Sequence, residues 1–259
     1  MTLDRQSAAD SLNLAQRNRV TVAPLTQTFP GFDVVDAYEV QLLNVRRRLD
    51  EGRIVRGHKV GLSSKAMQQM LGVDEPDYGH LLDDMFFDEA GTIPTEGFCQ
   101  PRAEIEVAFV LGAPLRGPGV NVADVLRATE YLLPSIEIVD SRIADWQVTI
   151  ADTIADNASS GAVVLGGNAT HPSKVNLPLI GALLWKNGEI VETGCSGAVL
   201  GNPAVAVAWL ANKVAAFGVS LEAGHVVLPG SCTRMVPVAA GDHIRADFDH
   251  LGSVAIRFG

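Results

Sequence analysis

The segment Pro101–Leu111, PRAEIEVAFVL, most constrains the fold, because it places two acids inside an otherwise apolar run. If the segment is a β-strand, its side chains alternate between two faces. One face is then wholly apolar and consists of Ala103, Ile105, Val107, Phe109 and Leu111. The other face carries Glu104 and Glu106, about 7 Å apart along the strand. The segment therefore predicts a core strand with two carboxylates on one face.

A third acid follows the same rule in the segment LLPSIEIVDSR, where Ile136 and Ile138 share one face and Glu137 points to the other. Carboxylates gathered on a core face repel each other unless something neutralises them. A hard divalent cation such as Mg²⁺ or Mn²⁺ prefers carboxylate oxygens. Three such ligands leave coordination positions open for water and substrate oxygens. Glu104, Glu106 and Glu137 therefore predict a metal site.

Two other interpretations of the acids remain open at this point. They could lie on a solvated sheet face, paired with Arg102 or other bases. They could also form an acid pair of the glycosidase type across a sugar cleft. An aromatic content of 6% gives little support for sugar stacking.

The pattern of apolar and turn-forming residues changes after Gly52. Before it, Ala8–Arg19 and Val34–Glu51 carry apolar residues at helical spacings. After it come short β-type runs bounded by Gly, Pro, Asn or Asp. The pattern predicts an α+β chain with a helical portion over 1–55 and a β-rich body over 56–259, within one compact domain.

Local signals locate further elements. Asn187-Gly188 between two β-type runs predicts a hairpin. A helix is predicted over Val122–Leu132, and another from the Asn202-Pro203 start to Gly218. The stretch Asp74–Gly79 has the composition of an acidic, turn-rich loop.

Composition excludes several classes of protein. The net charge of −10 and the lack of a basic patch beyond the short run Arg46–Arg48 argue against nucleic-acid binding. The three cysteines, Cys99, Cys195 and Cys232, lie far apart without a CxxC spacing, which predicts buried free thiols in a reducing cytosol. The polar N-terminus does not resemble a signal peptide, and the apolar runs are too short to span a bilayer. These features predict a cytoplasmic protein without membrane or nucleic-acid partners.

Known catalytic motifs narrow the choice further. The chain has no GxSxG, no P-loop and no GxGxxG followed by an acid, so neither a serine nucleophile nor a nucleotide cofactor is indicated. Lys59, in RGHKVGLSS, could neutralise a carboxylate substrate or transfer protons, and an ordinary exposed lysine is an equal alternative. The loops DNASSG at 156–161 and PGSCT at 229–233 could approach a small anion or serve as plain turns.

Together, several segments resemble the 2-keto-4-pentenoate hydratases, also called 2-hydroxypenta-2,4-dienoate hydratases. This group includes the 4-oxalocrotonate decarboxylases and belongs to the fumarylacetoacetate hydrolase superfamily. The matching segments run in order over nearly the whole chain: GHKVGLSSKAMQQMLGVDEPDYGHLLDDM, PRAEIEVAFVL, PSIEIVDSR, DNASSGAVVLGG and SGAVLGNPAVAVAWLANK. The resemblance implies a mixed β-sheet roll with outer helices that assembles into homo-oligomers, often pentamers or decamers. It also makes an aldolase or decarboxylase of the same pathway a candidate partner.

The resemblance assigns roles to particular residues. It implies Mg²⁺ or Mn²⁺ ligands at Glu104, Glu106 and Glu137. Lys59 matches the active-site lysine of the family, and Asp77 matches its acidic partner in the loop before the metal strand. It also implies that Ser160, Ser231 and Thr233 line the substrate pocket.

The implied substrate is a small 2-hydroxydienoate from the meta-cleavage degradation of aromatic rings or steroids. The metal acts as a Lewis acid on the 2-oxygen. Protonation at the far carbon and addition of water at C4 then give 4-hydroxy-2-oxopentanoate. Lys59 is the candidate for proton transfer and carboxylate neutralisation, and Asp77 for orienting or deprotonating the water. No redox cofactor is required.

Three alternative functions are weighed against the hydratase. A 4-oxalocrotonate decarboxylase would need a base for its second carboxylate, and three arginines are available: Arg56, Arg142 and Arg234. A C–C hydrolase is disfavoured because no histidine, including His58 and His80, matches its histidine–acid pair. A non-catalytic, metal-stabilised scaffold is disfavoured by the presence of Lys59 and Asp77. The sequence leaves open the substrate tail length, the choice between Mg²⁺ and Mn²⁺, the subunit count and the proton donor.

Overall fold

The computed structural model describes residues 4–64, 68–69, 73, 75–89 and 91–259. Its helices are α1 (Arg5–Asn18), α2 (Leu25–Thr28), α3 (Val34–Asp50), α4 (Val122–Ala128), α5 (Ile150–Ala155) and α6 (Pro203–Ala215). Its strands are β1 (Val55–Gly61), β2 (Asp77–Leu82), β3 (Phe86–Phe87), β4 (Thr92–Ile93), β5 (Pro101–Leu111), β6 (Thr129–Asp140), β7 (Ser160–Leu165), β8 (Gly181–Lys186), β9 (Glu189–Cys195), β10 (Val226–Leu228), β11 (Val236–Pro237), β12 (His243–Phe248) and β13 (Gly252–Phe258).

The N-terminal helices form where the sequence predicts them. Asp4 caps α1 by accepting a hydrogen bond from the Ser7 amide. Asp33 and Asp36 form a capping box at the start of α3. Both helices bury an apolar stripe in the main core, as their periodic pattern requires.

The larger sheet has the strand order β2-β1-β10-β5-β6-β7-β3, with β11 added alongside β5. Its two edge strands, β2 and β3, are separated in the chain by one 3-10 turn, Asp83–Met85. A connection this short holds the opposite edges of the sheet close together. The sheet therefore curls into a roll.

The two faces of the roll bury different sets of side chains. On the outer face, Ile105, Val107 and Phe109 of β5 pack in the main core. The helices and a second, five-stranded sheet also contribute side chains to this core. A smaller cluster on the inner face includes Ala108 and Val110 of β5. Its other buried members lie on β2, β6, β7 and β10 or in the turn Asp83–Met85. The predicted alternation of β5 is thus confirmed.

The second sheet has the order β4-β13-β12-β8-β9. Strands β8 and β9 are the predicted hairpin, and Asn187 (φ 55°) and Gly188 (φ 88°) form its turn. Positive φ at both central residues is the geometry of a type I′ turn, which explains the Asn-Gly pair. The fold is a mixed α+β roll with outer helices, as predicted.

Two predicted elements are wrong in part. The helix predicted over Val122–Leu132 ends at Ala128, and Thr129 begins β6, which pairs with β5 along its length. A short apolar run suits a helix or a strand equally, and strand pairing decides here. The predicted loop Asp74–Gly79 is also wrong in part, since Asp77–Gly79 belong to the buried strand β2. Asp74 lies outside the described residues.

Two smaller predictions have mixed outcomes. Helix α6 starts at Pro203 with Asn202 as its N-cap, as predicted, but ends at Ala215, before Gly218. All three cysteines are free, yet Cys99 and Cys195 are only half-buried. Among the described helices, none combines the length and the apolar character needed to cross a membrane.

Candidate functional site

Three glutamates meet on the inner face of the roll. Glu104 of β5 lies directly opposite Glu137 of β6, and Glu106 follows two residues along β5. One carboxylate oxygen from each residue lies within 4.8 Å of the other two. Glu106 and Glu137 are fully buried, and Glu104 is half-buried. The structure therefore brings together all three predicted metal ligands, and the solvated-face interpretation is wrong.

The environment of these acids disfavours three free carboxylates. Burial and the neighbouring glutamates raise the pKa of Glu106 well above its usual range. Burial raises the pKa of Glu104 to about 7. Within the described structure, Oε1 of Glu106 and both carboxylate oxygens of Glu137 accept no hydrogen bond. Buried carboxylate oxygens that accept no hydrogen bond are costly, and a hard divalent cation would satisfy them. The cluster therefore fits a metal ion.

The loop after β10 orients Glu106. The Gly230 amide donates a 2.7 Å hydrogen bond to Oε2 of Glu106, which leaves Oε1 available. Gly230 has φ 124°, and a Cβ on it would lie 1.7 Å from Oγ of Ser63. Only glycine fits this conformation and this space. The predicted small-residue loop at 229–233 therefore contacts the site through the backbone amide of Gly230.

Lys59 lies in β1 beside the three acids, with a relative exposure of 3%. Its Nζ is 3.3 Å from Oε1 of Glu137, an ion-pair distance without hydrogen-bond alignment. It donates a 3.0 Å hydrogen bond to the backbone oxygen of Ala158. Burial alone would lower the pKa of Lys59, but Glu137 and Glu104 outweigh it and raise the pKa above its usual value. Lys59 is a buried ammonium, so the exposed-lysine alternative is wrong.

Glycines make room for Lys59 and for Asp77 of β2. In the β1–β2 pair, Lys59 faces Gly79, and Asp77 faces Gly61. A Cβ on Gly61 would lie 2.1 Å from Oδ1 of Asp77 and 3.4 Å from Nζ of Lys59. A Cβ on Gly79 would lie 2.6 Å from Oγ of Ser160. The two functional side chains therefore share a face that their cross-strand partners leave empty.

Asp77 has one held and one free carboxylate oxygen. Thr153 of α5 donates a 3.0 Å hydrogen bond from Oγ1 to Oδ2 of Asp77. Oδ1 accepts no hydrogen bond within the described residues. Burial raises the pKa of Asp77, although Lys59 opposes this shift. A buried acid with one free oxygen can orient or deprotonate a water molecule.

The three predicted substrate-binding residues are placed unequally. Ser160 is buried and donates a 2.7 Å hydrogen bond to the backbone oxygen of Asn157. Ser231 and Thr233 are half-buried and follow Gly230 in the loop that holds Glu106. The Oγ1 of Thr233 donates to the backbone oxygen of Arg234 at 3.2 Å. Substrate binding by these three side chains remains a prediction.

The three candidate arginines differ in availability. Arg142 is buried, and its Nε pairs with Oδ1 of Asp156 at 2.5 Å. Its Nη1 donates to the backbone oxygen of Ser160 at 3.0 Å. Arg56 and Arg234 are exposed, and Arg234 pairs with Glu192. Arg142 is thus a structural cation, not a free base for a second carboxylate.

The histidines of β1 and β2 lie away from the acids. His58 and His80 neighbour Lys59 and Gly79 in their strands and so face the opposite side of the sheet. Their ring centroids are 5.0 Å apart, and that of His225 is 5.6 Å from His58. They therefore form a cluster of their own outside the carboxylate site.

Sequence reasoning missed Thr153, Gly61 and Gly79. Glycines inside a strand are a readable sign that something approaches closely, so Gly61 and Gly79 carried a signal. Thr153 carried none, because its contact with Asp77 spans 76 residues of chain.

Known proteins resemble this chain throughout its length. The family model for the fumarylacetoacetate (FAA) hydrolase C-terminal domain matches residues 59–258. The 2-keto-4-pentenoate hydratase of Paraburkholderia xenovorans strain LB400 is 46% identical over 254 residues, which cover 98% of this chain and 94% of that protein. The 2-oxo-hept-4-ene-1,7-dioate hydratase of Escherichia coli is 45% identical over 256 residues, with 96% of each chain covered. The 4-oxalocrotonate decarboxylase from Pseudomonas putida G7, complexed with magnesium and adipate, superposes with a TM-score of 0.93 and 36% identity, covering 100% of both chains.

Proposed function

The chain belongs to the fumarylacetoacetate hydrolase family, and on that basis we propose that it is a metal-dependent hydratase. It adds water to 2-hydroxypenta-2,4-dienoate to give 4-hydroxy-2-oxopentanoate. The observation that carries this proposal is the cluster of Glu104, Glu106 and Glu137 with Lys59 and Asp77 beside it. Curated relatives over nearly the whole chain are named as hydratases, which supports the reaction type.

The three glutamates would hold a divalent metal. A related decarboxylase structure carries magnesium, which supports this class of ion, and Mg²⁺ or Mn²⁺ suits three carboxylates. Such an ion, when bound, supplies Lewis-acid stabilisation of negative charge on the 2-oxygen of the substrate.

Lys59 and Asp77 divide the remaining work. The ammonium of Lys59 neutralises the substrate carboxylate and is buried, so its charge is poorly screened. The enol O–H proton leaves and C5 gains a proton, giving the 2-oxo-3-enoate. Oδ1 of Asp77, the free oxygen, accepts a proton from water as the water oxygen bonds to C4. C3 gains a proton, so one molecule of water is added overall.

A second candidate is decarboxylation of 4-oxalocrotonate, because a decarboxylase is so similar in structure. Both reactions need the same delocalised 2-oxo-enolate. They differ in the base required for a second carboxylate. Arg142 is committed to Asp156 and Ser160 and does not serve that purpose.

Turnover of freshly generated 2-hydroxypenta-2,4-dienoate with Mg²⁺ tests the proposal. We expect loss of the ultraviolet absorbance of the dienol with formation of 4-hydroxy-2-oxopentanoate. Release of CO₂ from 4-oxalocrotonate without dienoate turnover would replace the hydratase by the decarboxylase. Thermal stabilisation by Mg²⁺ without either reaction would leave a metal-stabilised scaffold.

Substitution of a ligand tests the metal site. Glu106→Gln removes a charge but keeps the shape, and we expect it to reduce metal-dependent turnover by at least about 10²-fold. Glu130→Gln is the matched control, because Glu130 lies on β6 but is exposed. Turnover retained in Glu106→Gln, with Glu130→Gln also active, would contradict the ligand assignment.

Assembly and location remain predictions. A homo-oligomer, as a pentamer or a decamer, is testable by light scattering of the purified chain. Association with a pathway aldolase or decarboxylase follows only from the family resemblance, and a cytoplasmic location follows only from the sequence composition.

A further inference from the structure

The turn Asp156–Ser160 has an unusual backbone. Three consecutive residues, Asn157, Ala158 and Ser159, have φ values of 54°, 50° and 53°. Left-handed conformations are sterically costly for residues other than glycine, although asparagine tolerates them better than most. Alanine has no polar side chain to offset this cost. Such a run persists only where its surroundings enforce it, and strain of this kind is concentrated at functional sites.

Arg142 ties both ends of this turn together. Its backbone amide donates to Oδ2 of Asp156 at 3.0 Å, and its Nε pairs with Oδ1. Its Nη2 donates to the backbone oxygen of Asp156, and its Nη1 to that of Ser160 at 3.0 Å. Arg142 and Asp156 are both buried. One guanidinium therefore fixes the entry and the exit of the turn.

The side chain of Asn157 clamps the turn to β2. Its Oδ1 accepts from the His80 amide at 2.8 Å, and its Nδ2 donates to the His80 carbonyl at 2.9 Å. His80 pairs with His58, the residue that precedes Lys59 in β1. The turn is thus held against the strand beside the one that carries Lys59.

The product of these contacts is the position of one carbonyl group. Ala158, at the centre of the turn, accepts the 3.0 Å hydrogen bond from Nζ of Lys59. The same Nζ lies 3.3 Å from Oε1 of Glu137. The ammonium is therefore held between a backbone dipole and a carboxylate.

We propose that Arg142 and Asn157 are positioning residues for Lys59, because they hold a strained left-handed turn that presents the Ala158 carbonyl to its ammonium. The inference rests on the proposed function, in which Lys59 faces the substrate. By sequence, Arg142 is a candidate for binding a second substrate carboxylate. In the folded protein it instead positions Lys59. A displacement of about 1 Å at a reacting group can reduce a rate by about 10²-fold, so small changes in this turn matter.

Arg142→Lys tests the proposal, since it keeps the positive charge but lacks the fork of donors. We expect kcat per folded protein to fall by about 10- to 100-fold and KM to rise, because Lys59 also neutralises the substrate carboxylate, while Mg²⁺ affinity by calorimetry changes less than about threefold. Asn157→Ala, which removes the clamp without touching the ion pair, should lower kcat in the same way. Arg5→Lys is the matched control, because Arg5 pairs with Asp36 on the N-terminal helices, and its kcat should not change.

The outcomes separate this inference from the proposed function. Absence of dienoate turnover in the parent protein contradicts the function. An active parent with unchanged kcat in Asn157→Ala and Arg142→Lys, even at a lower unfolding temperature, means that the turn is only structural. Should Arg142→Lys fail to fold, Asn157→Ala alone decides. A crystal structure of either variant with the Ala158 carbonyl still bonded to Lys59 would also overturn the proposal.

Discussion

At the scale of single residues, the site requires positions without a side chain opposite Lys59 and Asp77. Gly61 and Gly79 face Asp77 and Lys59 across the β1–β2 pair. Charged side chains would otherwise be excluded from this buried face by steric overlap with their neighbours. The glycines beside Lys59 are thus as specific a requirement as the lysine itself.

Gly61→Ala should reduce turnover more than stability. The new Cβ would lie 2.1 Å from Oδ1 of Asp77, so the Asp77 side chain must rotate away. We expect kcat to fall by about 10-fold or more, as expected when a group is displaced from its productive geometry. Steady-state kinetics with a parallel thermal denaturation measures both effects.

Gly97→Ala is the control for this change, because a Cβ on Gly97 meets nothing within 4 Å. It should leave kcat and the unfolding temperature close to those of the parent protein. Equal kcat values for Gly61→Ala and the parent would show that the position of Asp77 is not required.

At the scale of elements, the roll carries the site, and the second sheet contributes to stability. The roll carries Lys59 and the three acids, and the second sheet packs behind it through the main core. The β8–β9 hairpin belongs to the second sheet. Damage to its turn should therefore affect stability without affecting the chemistry.

Gly188→Ala places an alanine at φ 88° in the hairpin turn. We expect it to lower the free energy of unfolding by about 1 kcal/mol, since only glycine adopts this region without cost. Urea denaturation measures the loss. The kcat should stay within about twofold of the parent, and a large fall in kcat would show that the two sheets are functionally coupled.

Sequence periodicity predicted elements better than their ends. The alternation in Pro101–Leu111 was sufficient to place Glu104 and Glu106 on one face, because pleating depends only on local geometry. The end of α4 and the start of β6 were mispredicted because pairing with β5, a non-local contact, outweighs helical propensity there. The boundary between 1–55 and 56–259 remains a prediction.

At the scale of the whole molecule, metal binding and folding should be linked. Any ion that binds the folded protein but not the unfolded chain stabilises it by mass action, by about 2.7 kcal/mol at a hundred times its Kd. Mg²⁺ should therefore raise the unfolding temperature of the parent and, at the same concentration, have little effect on Glu106→Gln. Scanning calorimetry with and without EDTA provides the comparison, and equal shifts in both proteins would place the ion elsewhere.

The histidine cluster should make stability depend on pH. Burial lowers the pKa of His80 to about 4 and that of His58 well below its usual 6.5, with His80 and His225 adding to the second shift. Between pH 6.5 and about 4 the unfolded chain therefore binds more protons at these positions than the folded one. Their contribution to stability is present above this range and is lost as the pH falls through it.

His58→Leu isolates this effect. Both ring nitrogens of His58 are buried without partners in the described structure, so the variant should gain about 1 kcal/mol at pH 7.5. It should also lose stability less steeply than the parent between pH 7 and about 5. The raised pKa of Glu104 makes stability change with pH in the opposite direction, and it does so in both proteins. The difference between their two pH profiles therefore reports the contribution of His58. Parallel pH profiles of the unfolding temperature would contradict the prediction.

The sequence by itself determined the faces of the strands, the family and the three acids, because alternation, composition and long motifs are properties of neighbouring residues. Only the tertiary structure decided how these residues are held. The Gly230 amide reaches Glu106 across 124 residues, and Lys59 reaches the Ala158 carbonyl across 99. Contacts of this kind depend on the path of the whole chain, which no local pattern records. The tertiary path also placed Asp77 in a strand and committed Arg142 to a turn.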